Sequence, residues 1–458
     1  MIQCNTIVVG AGITGLTLAL QLRRKGIDAI VVERQNRVGG QICTVRNGDF
    51  VFETGPNTGV VKYPEVVELF EQLGDACQLE TALESSKKRL IWKNGKFHPL
   101  PSGLLQAITT PLFTWHDKFR ILGEPWRAKG TDPNESIASL AARRLGQSYV
   151  DYAVDPFISG VYAGNPYNLS ARCALPKLYQ LEQQYGSFVR GSIAKAKQPK
   201  TERDRKATKK VFSATGGFSN LANAIAQAIG TEYILTNIDN ISITPTINNT
   251  WQLTGVCNGE TVSIAAARVV TTCGAYSLPS LLPFISNETM NHINNLTYAP
   301  VVQVGVGISN TRGNDWLAFG GLVPSVEKQN VLGVLFPSAC FSGRAPQGGA
   351  LMSFFIGGVR HKEMIDMSDA ELTQMVSTNL HRMLRYPQGA VPDAISISRH
   401  QRAIPQYESS TDARLQAIDQ VQQQYPTLCI AGNLRDGIGM GDRIKQAFDV
   451  AKSISNSK

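Results

Sequence analysis

The chain has 458 residues and a net charge of +9, with 43% hydrophobic and 18% charged residues. This is the composition of a globular protein that is too long for one simple core, so two or three domains are expected. No apolar run approaches the roughly twenty residues of a membrane span, and the apolar start of the chain lacks the basic leader of a signal peptide. The eight cysteines form no Cys-x-x-Cys pair and the six histidines are dispersed, which predicts reduced thiols in a cytoplasmic protein and no metal site.

The first forty residues carry the strongest pattern of the chain. In order, they predict a buried strand (7–9), glycines at Gly-x-Gly-x-x-Gly spacing (Gly10, Gly12, Gly15), an apolar helix (16–25), and a second strand (27–32) that ends at Glu33. This order is the structural context of a dinucleotide-binding fingerprint.

Each residue of the fingerprint has a physical role. Gly10 allows a tight turn, Gly12 lets the backbone approach a pyrophosphate, and Gly15 lets the helix lie close to the strand. The free N–H groups at the helix start hold the phosphates. Glu33 is placed to accept a hydrogen bond from a ribose hydroxyl, which favours FAD or NAD over a nucleotide with a 2′-phosphate.

A second glycine pair, Gly39 and Gly40, follows Glu33 closely, in an arrangement similar to the extended FAD fingerprint of flavoprotein oxidases. No second Gly-x-Gly-x-x-Gly motif, which could hold NADPH, is present in the sequence. Residues 304–308 look similar to one, but they alternate as a strand does. A flavin without a pyridine-nucleotide site predicts an oxidase. The loop 53–59 is expected beside the flavin. The cofactor contacts predicted from these segments are Gly10, Ala11, Gly12, Ile13, Thr14, Gly15, Glu33, Arg34, Gly39, Gly40, Gln41, Gly55, Pro56, Asn57 and Thr58.

The middle of the chain predicts hairpins around residues 47–48 and 94–95, turns at Gly320-Gly321 and Gly348-Gly349, and an amphipathic helix over 368–385. Residues 104–126 mix apolar and aromatic residues with cations, as in a helical lobe that touches a membrane surface. Residues 190–210 hold nine basic residues against Glu202 and Asp204. This basic segment is either a solvated, mobile loop or a patch for anionic lipid or an anionic ligand. Nucleic acid is not expected, because no aromatic residues interleave with the charges.

The end of the chain predicts a strand (428–433), a glycine-rich loop and a helix (443–453). A helix N-terminus aimed at the flavin stabilises the negative charge of its reduced form. The predicted contacts here are Gly432, Ile438, Gly439 and Met440. The predicted fold is therefore α/β in a multi-domain α+β chain. It has a discontinuous, Rossmann-like FAD-binding domain (1–62, 211–290 and 405–458), a mixed-sheet substrate domain (63–100 and 291–404) and a helical lobe (101–210).

Six ordered segments resemble one family along almost the whole chain. They are the segments 156–170, 321–324 with Glu327, 332–338, 341–346, 355–358 and 432–442. In these segments the chain is similar to the oxygen-dependent protoporphyrinogen oxidases, within the amine-oxidase-like flavoproteins. The chain departs from the family at Asn165, where an aspartate is frequent, and in the basic segment.

The resemblance implies an FAD enzyme of haem biosynthesis that oxidises protoporphyrinogen IX to protoporphyrin IX, with O2 as acceptor and H2O2 as by-product. It implies no catalytic acid or base, because the chemistry rests on the flavin and on placement of the substrate. It also implies substrate contacts at Arg89 (a propionate), Gly164, Leu332 and Met352, and a contact of Ile238 with the adenine end of FAD. Leu332 and Met352 have an equal claim to be core residues of a sheet.

Several alternatives remain open at this point. The nearest is oxidation of coproporphyrinogen III, which carries four propionates where protoporphyrinogen carries two. An amine oxidase, a carotenoid desaturase or a flavin-fold protein that only binds porphyrin is less favoured. The expected partners are the tetrapyrrole and O2, with a peripheral membrane contact on the cytoplasmic face, a homodimer or another haem-pathway enzyme as further hypotheses.

Overall fold

A computed structural model describes residues 2–248 and 250–456, apart from the side chain of Leu104. Met1, Asn249, Ser457 and Lys458 fall within the predicted cofactor domain and lie outside the described residues. The side chain of Leu104, in the segment predicted to touch a membrane, also lies outside them.

Across the described residues the chain forms nineteen strands. They are β1 (Ile2–Val9), β2 (Ala29–Val32), β3 (Thr44–Asn47), β4 (Phe50–Glu53), β5 (Gly59–Val60), β6 (Leu79–Thr81), β7 (Arg89–Lys93), β8 (Lys96–Pro99), β9 (Val211–Ala214), β10 (Ile234–Leu235), β11 (Asp239–Pro245), β12 (Trp251–Cys257), β13 (Glu260–Thr271), β14 (Tyr298–Ile308), β15 (Gly320–Leu322), β16 (Gly333–Leu335), β17 (Ala350–Gly357), β18 (Ala394–Pro405) and β19 (Leu428–Ile430).

The same residues form eighteen α-helices. They are α1 (Ile13–Arg24), α2 (Pro64–Leu73), α3 (Leu104–Thr109), α4 (Trp115–Leu122), α5 (Ile137–Arg144), α6 (Gln147–Tyr149), α7 (Asp155–Tyr162), α8 (Ala171–Ala174), α9 (Pro176–Tyr185), α10 (Phe188–Ala196), α11 (Glu202–Arg205), α12 (Phe218–Ile229), α13 (Leu278–Leu281), α14 (Asn287–Asn294), α15 (Pro337–Cys340), α16 (Asp369–Leu384), α17 (Thr411–Gln424) and α18 (Met440–Asn456).

The first sheet has the strand order β10-β2-β1-β13-β12-β11, with β19 beside β13. Strand β1 pairs in parallel with β2 and β13. Helix layers cover β1 on both faces: Val8 packs in the core formed with α1, α12 and α18, whereas Ile7 and Val9 pack in the core formed with α13, α14 and α17. A strand buried on both faces must be apolar throughout, which is why 7–9 reads as a continuous apolar run. The predicted mixed α/β fold with a Rossmann-like unit is confirmed.

The second sheet has the order β18-β14-β17-β16-β15-β7-β8 and carries α16 on one face. The predicted turn at Gly320-Gly321 is wrong, because both residues lie inside β15. A Cβ on Gly320 would lie 2.4 Å from the carbonyl oxygen of Val334, and one on Gly321 would lie 2.3 Å from the Phe97 ring. These glycines therefore serve close packing rather than chain reversal.

Helices α3 to α11 follow β8 and precede β9 in the sequence, and they form a helical layer. A buried ionic cluster holds this layer together. Arg144 and Glu182 are fully buried and joined by a 2.6 Å hydrogen bond, and Glu124 accepts from Arg144 at 3.1 Å. The two sheets draw strands from separate stretches of sequence, 2–32, 234–271 and 428–430 for the first and 89–99 and 298–405 for the second. The domain boundaries proposed above stay a prediction.

The basic segment 190–210 is not a free loop. It contains the end of α10 and all of α11, and two of its cations are paired with acids on α2. Arg203 lies 2.8 Å from Glu65 and Lys206 lies 2.7 Å from Glu71. The loop interpretation is corrected because these ion pairs fasten the segment to α2.

Candidate functional site

A cavity of about 1750 Å³ opens where β1, β2 and β13 end, and it extends to the second sheet and to α7 and α9. The carboxyl ends of parallel strands are where open α/β sheets bind ligands. The volume exceeds the several hundred Å³ of an ordinary small-molecule pocket. It is large enough for a dinucleotide and a bulky second ligand together.

The first glycine loop forms one end of this cavity. Gly10 has φ +103°, and a Cβ on Gly15 would lie 1.9 Å from the Gly10 carbonyl oxygen, so only glycine lets α1 lie this close to β1. Gly12 is the N-cap of α1 and has no heavy atom within 4 Å of its Cβ position. Gly12, Ile13 and Thr14 line the cavity, whereas Ala11 and Gly15 do not. The open cradle beside a helix N-terminus fits a pyrophosphate.

Glu33 and Arg34 line the cavity at the end of β2. Glu33 Oε2 accepts a hydrogen bond of 2.7 Å from the Ala11 amide, and Oε1 accepts one of 2.8 Å from the Gln35 amide. The carboxylate therefore also braces the glycine loop, a role that the sequence did not predict. Each oxygen keeps a further lone pair, so the residue still fits a ribose hydroxyl. Ile238, predicted at the adenine end, lines the same wall and its amide donates to the Glu33 carbonyl oxygen at 3.0 Å.

The second glycine pair, Gly39 and Gly40, packs directly on the first glycine loop. The Gly39 amide donates to the Ala11 carbonyl oxygen at 2.8 Å, and a Cβ on Gly40 would lie 3.2 Å from the Gly12 Cα. Gly39, Gly40 and Gln41 all line the cavity. The two glycine segments, separate in the sequence, thus form one phosphate-sized surface.

The loop after β4 supplies the next part of the wall, with Gly55, Pro56, Asn57 and Thr58 all lining the cavity. Asn57 is buried and donates from Nδ2 to the Gly55 carbonyl oxygen at 3.0 Å. Its Oδ1 accepts no hydrogen bond from any described residue. A buried acceptor without a donor is costly, so this atom fits a donor on a bound cofactor.

Two polar side chains that the sequence analysis missed hold this loop from the second sheet. Gln303 on β14 donates from Nε2 to the Glu53 carbonyl oxygen, and His400 on β18 has Nε2 2.5 Å from the Thr54 carbonyl oxygen. Both side chains line the cavity. Between residues 299 and 308, Gln303 is the one polar side chain in the otherwise apolar run of β14. This single polar residue was the signal in the sequence by which Gln303 could have been found.

The Glu53 carboxyl group is buried beneath the loop. Burial raises its pKa to about 7, although hydrogen bonds from the Phe218 amide and the Thr44 hydroxyl and the charge of Arg344 act in the opposite direction. The Phe218 amide and Thr44 Oγ1 each donate at 2.8 Å. The carboxyl group thus joins the β3–β4 hairpin to the start of α12 next to the cofactor loop.

The closing glycine loop brings the start of α18 to the cavity, where Ile438, Gly439 and Met440 form part of the wall. Gly432 does not line the cavity; it packs against the backbone of Thr272, whose carbonyl oxygen would lie 2.8 Å from an added Cβ. Arg443, which is buried, donates to the carbonyl oxygens of Gly432 and Arg435. Helix α18 begins at Met440, three residues earlier than predicted. Because Met440 and the residues just before it line the cavity, the positive end of the helix faces it.

Of the four predicted substrate residues, two line the cavity and two do not. Arg89 and Leu332 line the cavity, and the Arg89 guanidinium lies 5.5 Å from the centre of the Phe319 ring. Gly164 does not line it; Ala163 does, and Gly164 packs on Gln406.

Met352 lies where the second of its two predicted roles puts it, in the core of the sheet, and it does not line the cavity. Its fully buried side chain packs with Val304 and Val306 on the face of the sheet that carries α16. Side chains alternate along a strand, and the cavity face of β17 is occupied by Phe355 instead.

Comparison with known proteins agrees with this geometry. The family model for flavin-containing amine oxidoreductases matches residues 13–454. Protoporphyrinogen oxidase 2, chloroplastic/mitochondrial, of Arabidopsis thaliana is 30% identical, over 98% of this chain and 95% of its own length. Coproporphyrinogen III oxidase of Bacillus subtilis (strain 168) is 23% identical, over 96% of each chain. A solved structure from Exiguobacterium sp. 255-15 shares the fold with a TM-score of 0.81 at 22% identity, over 100% of this chain and 99% of that one.

Together with the fit of the cradle, these matches show that the chain belongs to the flavin-containing amine oxidoreductase family, as an FAD flavoprotein related to both protoporphyrinogen oxidases and coproporphyrinogen III oxidases.

Proposed function

We propose that the protein oxidises protoporphyrinogen IX to protoporphyrin IX, with O2 as the acceptor and H2O2 as the released product. The observation that carries the proposal is that a single cavity extends from the glycine loops to an apolar chamber beside the second sheet. Leu322, Leu332, Val334 and Phe355 line this chamber, which suits a bulky apolar macrocycle.

The proposed substrate residues act by placement. Arg89 has no carboxylate partner among the described residues, so its guanidinium is available for a propionate, which an arginine fork binds well. The apolar walls hold the macrocycle and exclude water, and bound FAD supplies a two-electron acceptor. No protein acid or base is assigned to the reaction.

The test is an aerobic fluorescence assay of the FAD-loaded protein with protoporphyrinogen IX and coproporphyrinogen III side by side, with H2O2 measured in parallel. We expect faster formation of protoporphyrin together with H2O2. Faster formation of coproporphyrin would support the alternative function suggested by the B. subtilis relative. Oxidation of neither, with activity instead on an amine or a carotenoid precursor, would overturn the proposal.

We also propose a peripheral membrane contact through α3, α4 and the turn after them. The side chains of Leu105, Trp115, Phe119, Leu122 and Trp126 are each at least 60% exposed, beside the cation Lys118, and such a mixed face suits a lipid surface. None of the described helices combines the length and apolarity needed to cross a membrane. Flotation with anionic liposomes at low salt tests this contact: co-flotation that Phe119→Ser and Trp126→Ser reduce is expected, and recovery of the wild type wholly in the soluble fraction would refute it.

A further inference from the structure

Arg443 is a buried cation in the first turn of α18, where it forms part of the cavity wall. Its side chain is 6% exposed. The guanidinium donates to the carbonyl oxygens of Gly432 and Arg435 in the closing glycine loop and, from Nη1, to Gln446 Oε1 at 2.8 Å. The Nε atom is also buried and donates to no described residue. All the acceptors that the described chain gives this cation are therefore neutral.

The two acids nearest to Arg443 in the sequence do not neutralise it. Asp442 Oδ1 lies 2.7 Å from Lys62 Nζ, and Asp436 Oδ2 accepts from Gln446 Nε2 at 2.7 Å. Burial lowers the pKa of the Arg443 guanidinium, but an arginine remains protonated in proteins. A buried cation without a carboxylate partner is costly, and natural proteins accept such costs mainly at functional sites.

The start of α18 adds positive potential at the same part of the wall. Ile438 and Met440 line the cavity, and their amides donate to no acceptor in the described chain. The Gly439 amide between them donates to Asp442 Oδ2 at 3.2 Å. Unpaired amides at a helix start carry the positive end of the helix dipole. The free amides and the Arg443 cation thus form one electropositive surface.

This surface lies next to the loop that is expected beside the flavin. A Cβ on Gly441 would lie 2.9 Å from the Val60 carbonyl oxygen, and Val60 closely follows the loop 55–58. Both segments line the cavity. With the pyrophosphate at Gly12 and the adenosine ribose at Glu33, as the sequence predicts, the other half of FAD extends towards the loop 55–58 and the start of α18.

We propose that the buried charge of Arg443, together with the free amides at the start of α18, raises the reduction potential of the bound FAD. Two-electron reduction leaves a negative charge near N1 and O2 of a flavin, and a fixed cation close by stabilises that form. By linkage, the protein then binds reduced FAD more tightly than oxidised FAD. The inference goes beyond the proposed function, because it does not depend on which substrate supplies the electrons.

The test is the midpoint potential of FAD in the purified holoprotein, measured against reference dyes without any porphyrinogen. The wild-type potential is expected to lie above that of free FAD in the same buffer. Arg443→Met removes the charge, and we expect it to lower the ratio of reduced to oxidised FAD about tenfold at a fixed potential, as loss of one unit charge inside a protein would. For a two-electron couple this is a shift of about 30 mV. Arg443→Lys keeps the charge and is expected to keep most of the wild-type potential.

Gln446→Glu tests the charge without removing the arginine, so it remains informative if Arg443→Met does not fold. The new carboxylate oxygen would take the place of Oε1, 2.8 Å from Nη1, and we expect it to lower the potential as well. Arg414→Met is the matched control. Arg414 is also a fully buried arginine that donates to this loop, at the Leu434 carbonyl oxygen, but it does not line the cavity. We expect this control to change the ratio less than about twofold.

Three results would overturn the inference. The first is a wild-type potential at or below that of free FAD. The second is an unchanged potential in both Arg443→Met and Gln446→Glu. The third is an equal shift in Arg443→Met and Arg414→Met, because loosening of the loop would then explain both. The potentials are measured without a porphyrinogen, so failure of this inference and failure of the proposed function are observed in separate experiments.

Discussion

Gln303 donates its side-chain hydrogen bond to the carbonyl oxygen of Glu53, a residue 250 positions earlier in the chain. Gln303 is buried in the second sheet, and Glu53 ends the strand before the cofactor loop. Together with His400 and Thr54, this contact ties the proposed substrate sheet to the loop expected beside the flavin. Both tied groups are backbone carbonyls, so the orientation of the loop depends on the second sheet.

Gln303→Leu is therefore expected to destabilise the loop and to weaken FAD binding. The substitution keeps the volume but leaves the Glu53 carbonyl oxygen buried without a donor, which costs about 1–3 kcal/mol. We expect a lower Tm and a several-fold higher Kd for FAD, measured by thermal unfolding and by titration of the apoprotein. Gln374→Leu is the control, because Gln374 is exposed on α16. An unchanged FAD affinity would show that the loop holds its position without Gln303.

The raised pKa of Glu53 predicts a pH dependence of stability. The folded protein holds the proton up to about pH 7, whereas the unfolded chain releases it near the ordinary value of 4.5. Between these values the folded state binds more protons than the unfolded state, so this group's contribution to stability falls as pH rises from 4.5 to 7 and is constant above 7.

Glu53→Gln removes that titration while keeping a side chain able to accept from the Phe218 amide. The stability of the variant relative to the wild type is therefore expected to increase as pH rises through this range. The free energy of unfolding, measured for both proteins between pH 5 and pH 8, tests the expectation. Glu260→Gln serves as a control because Glu260 is exposed. A difference between Glu53→Gln and the wild type that does not vary with pH would contradict the prediction.

The parts of the site that could be predicted from sequence are those whose geometry is local. The glycine fingerprint encodes a turn, a helix start and a close approach within six residues, and Gly10, Gly12 and Gly15 take those roles. The contacts of Gln303 and His400 join distant segments, so no spacing in the sequence reveals their partners, although the single polar residue in β14 marks Gln303 itself. The two predicted roles of Met352 could not be told apart for a related reason: β17 is buried on both faces, and alternation alone does not tell which face meets the cavity.

Even less of the helical layer than of the site could be predicted from the sequence. The sequence identified its apolar and basic character, but the burial of Arg144 with Glu124 and Glu182 depends on three helical segments meeting. The basic segment was misread because its acidic partners lie on α2, about 135 residues away in sequence. Charge counted along a sequence does not show which charges are paired.

Gly12→Ala is expected to leave the apoprotein folded and to abolish tight FAD binding. No atom of the chain lies within 4 Å of the new Cβ, and Gly12 does not require a positive φ. The methyl group would instead occupy the space where the cofactor's phosphates approach the helix start. Gly103→Ala is a matched control, because Gly103 is also a helix N-cap with open space around its Cβ position but does not line the cavity. Flavin absorbance after purification and the Tm of each apoprotein provide the measurement. Retention of FAD by Gly12→Ala would argue against this cradle as the phosphate site.

Arg89→Ala is expected to raise KM for the porphyrinogen about tenfold with a smaller effect on kcat. The guanidinium lies on the cavity wall over Phe319 and has no acidic partner among the described residues, so its charge is free for a propionate in both the ground state and the transition state. Loss of an interaction made equally in both states appears in KM, and one charge-assisted hydrogen bond corresponds to about tenfold. Lys88→Ala removes a neighbouring exposed charge that does not line the cavity, and it should leave KM unchanged. Equal effects of the two substitutions would mean that residues 87–89 act only as a basic surface, and Arg89 would then lose its assignment as a propionate ligand.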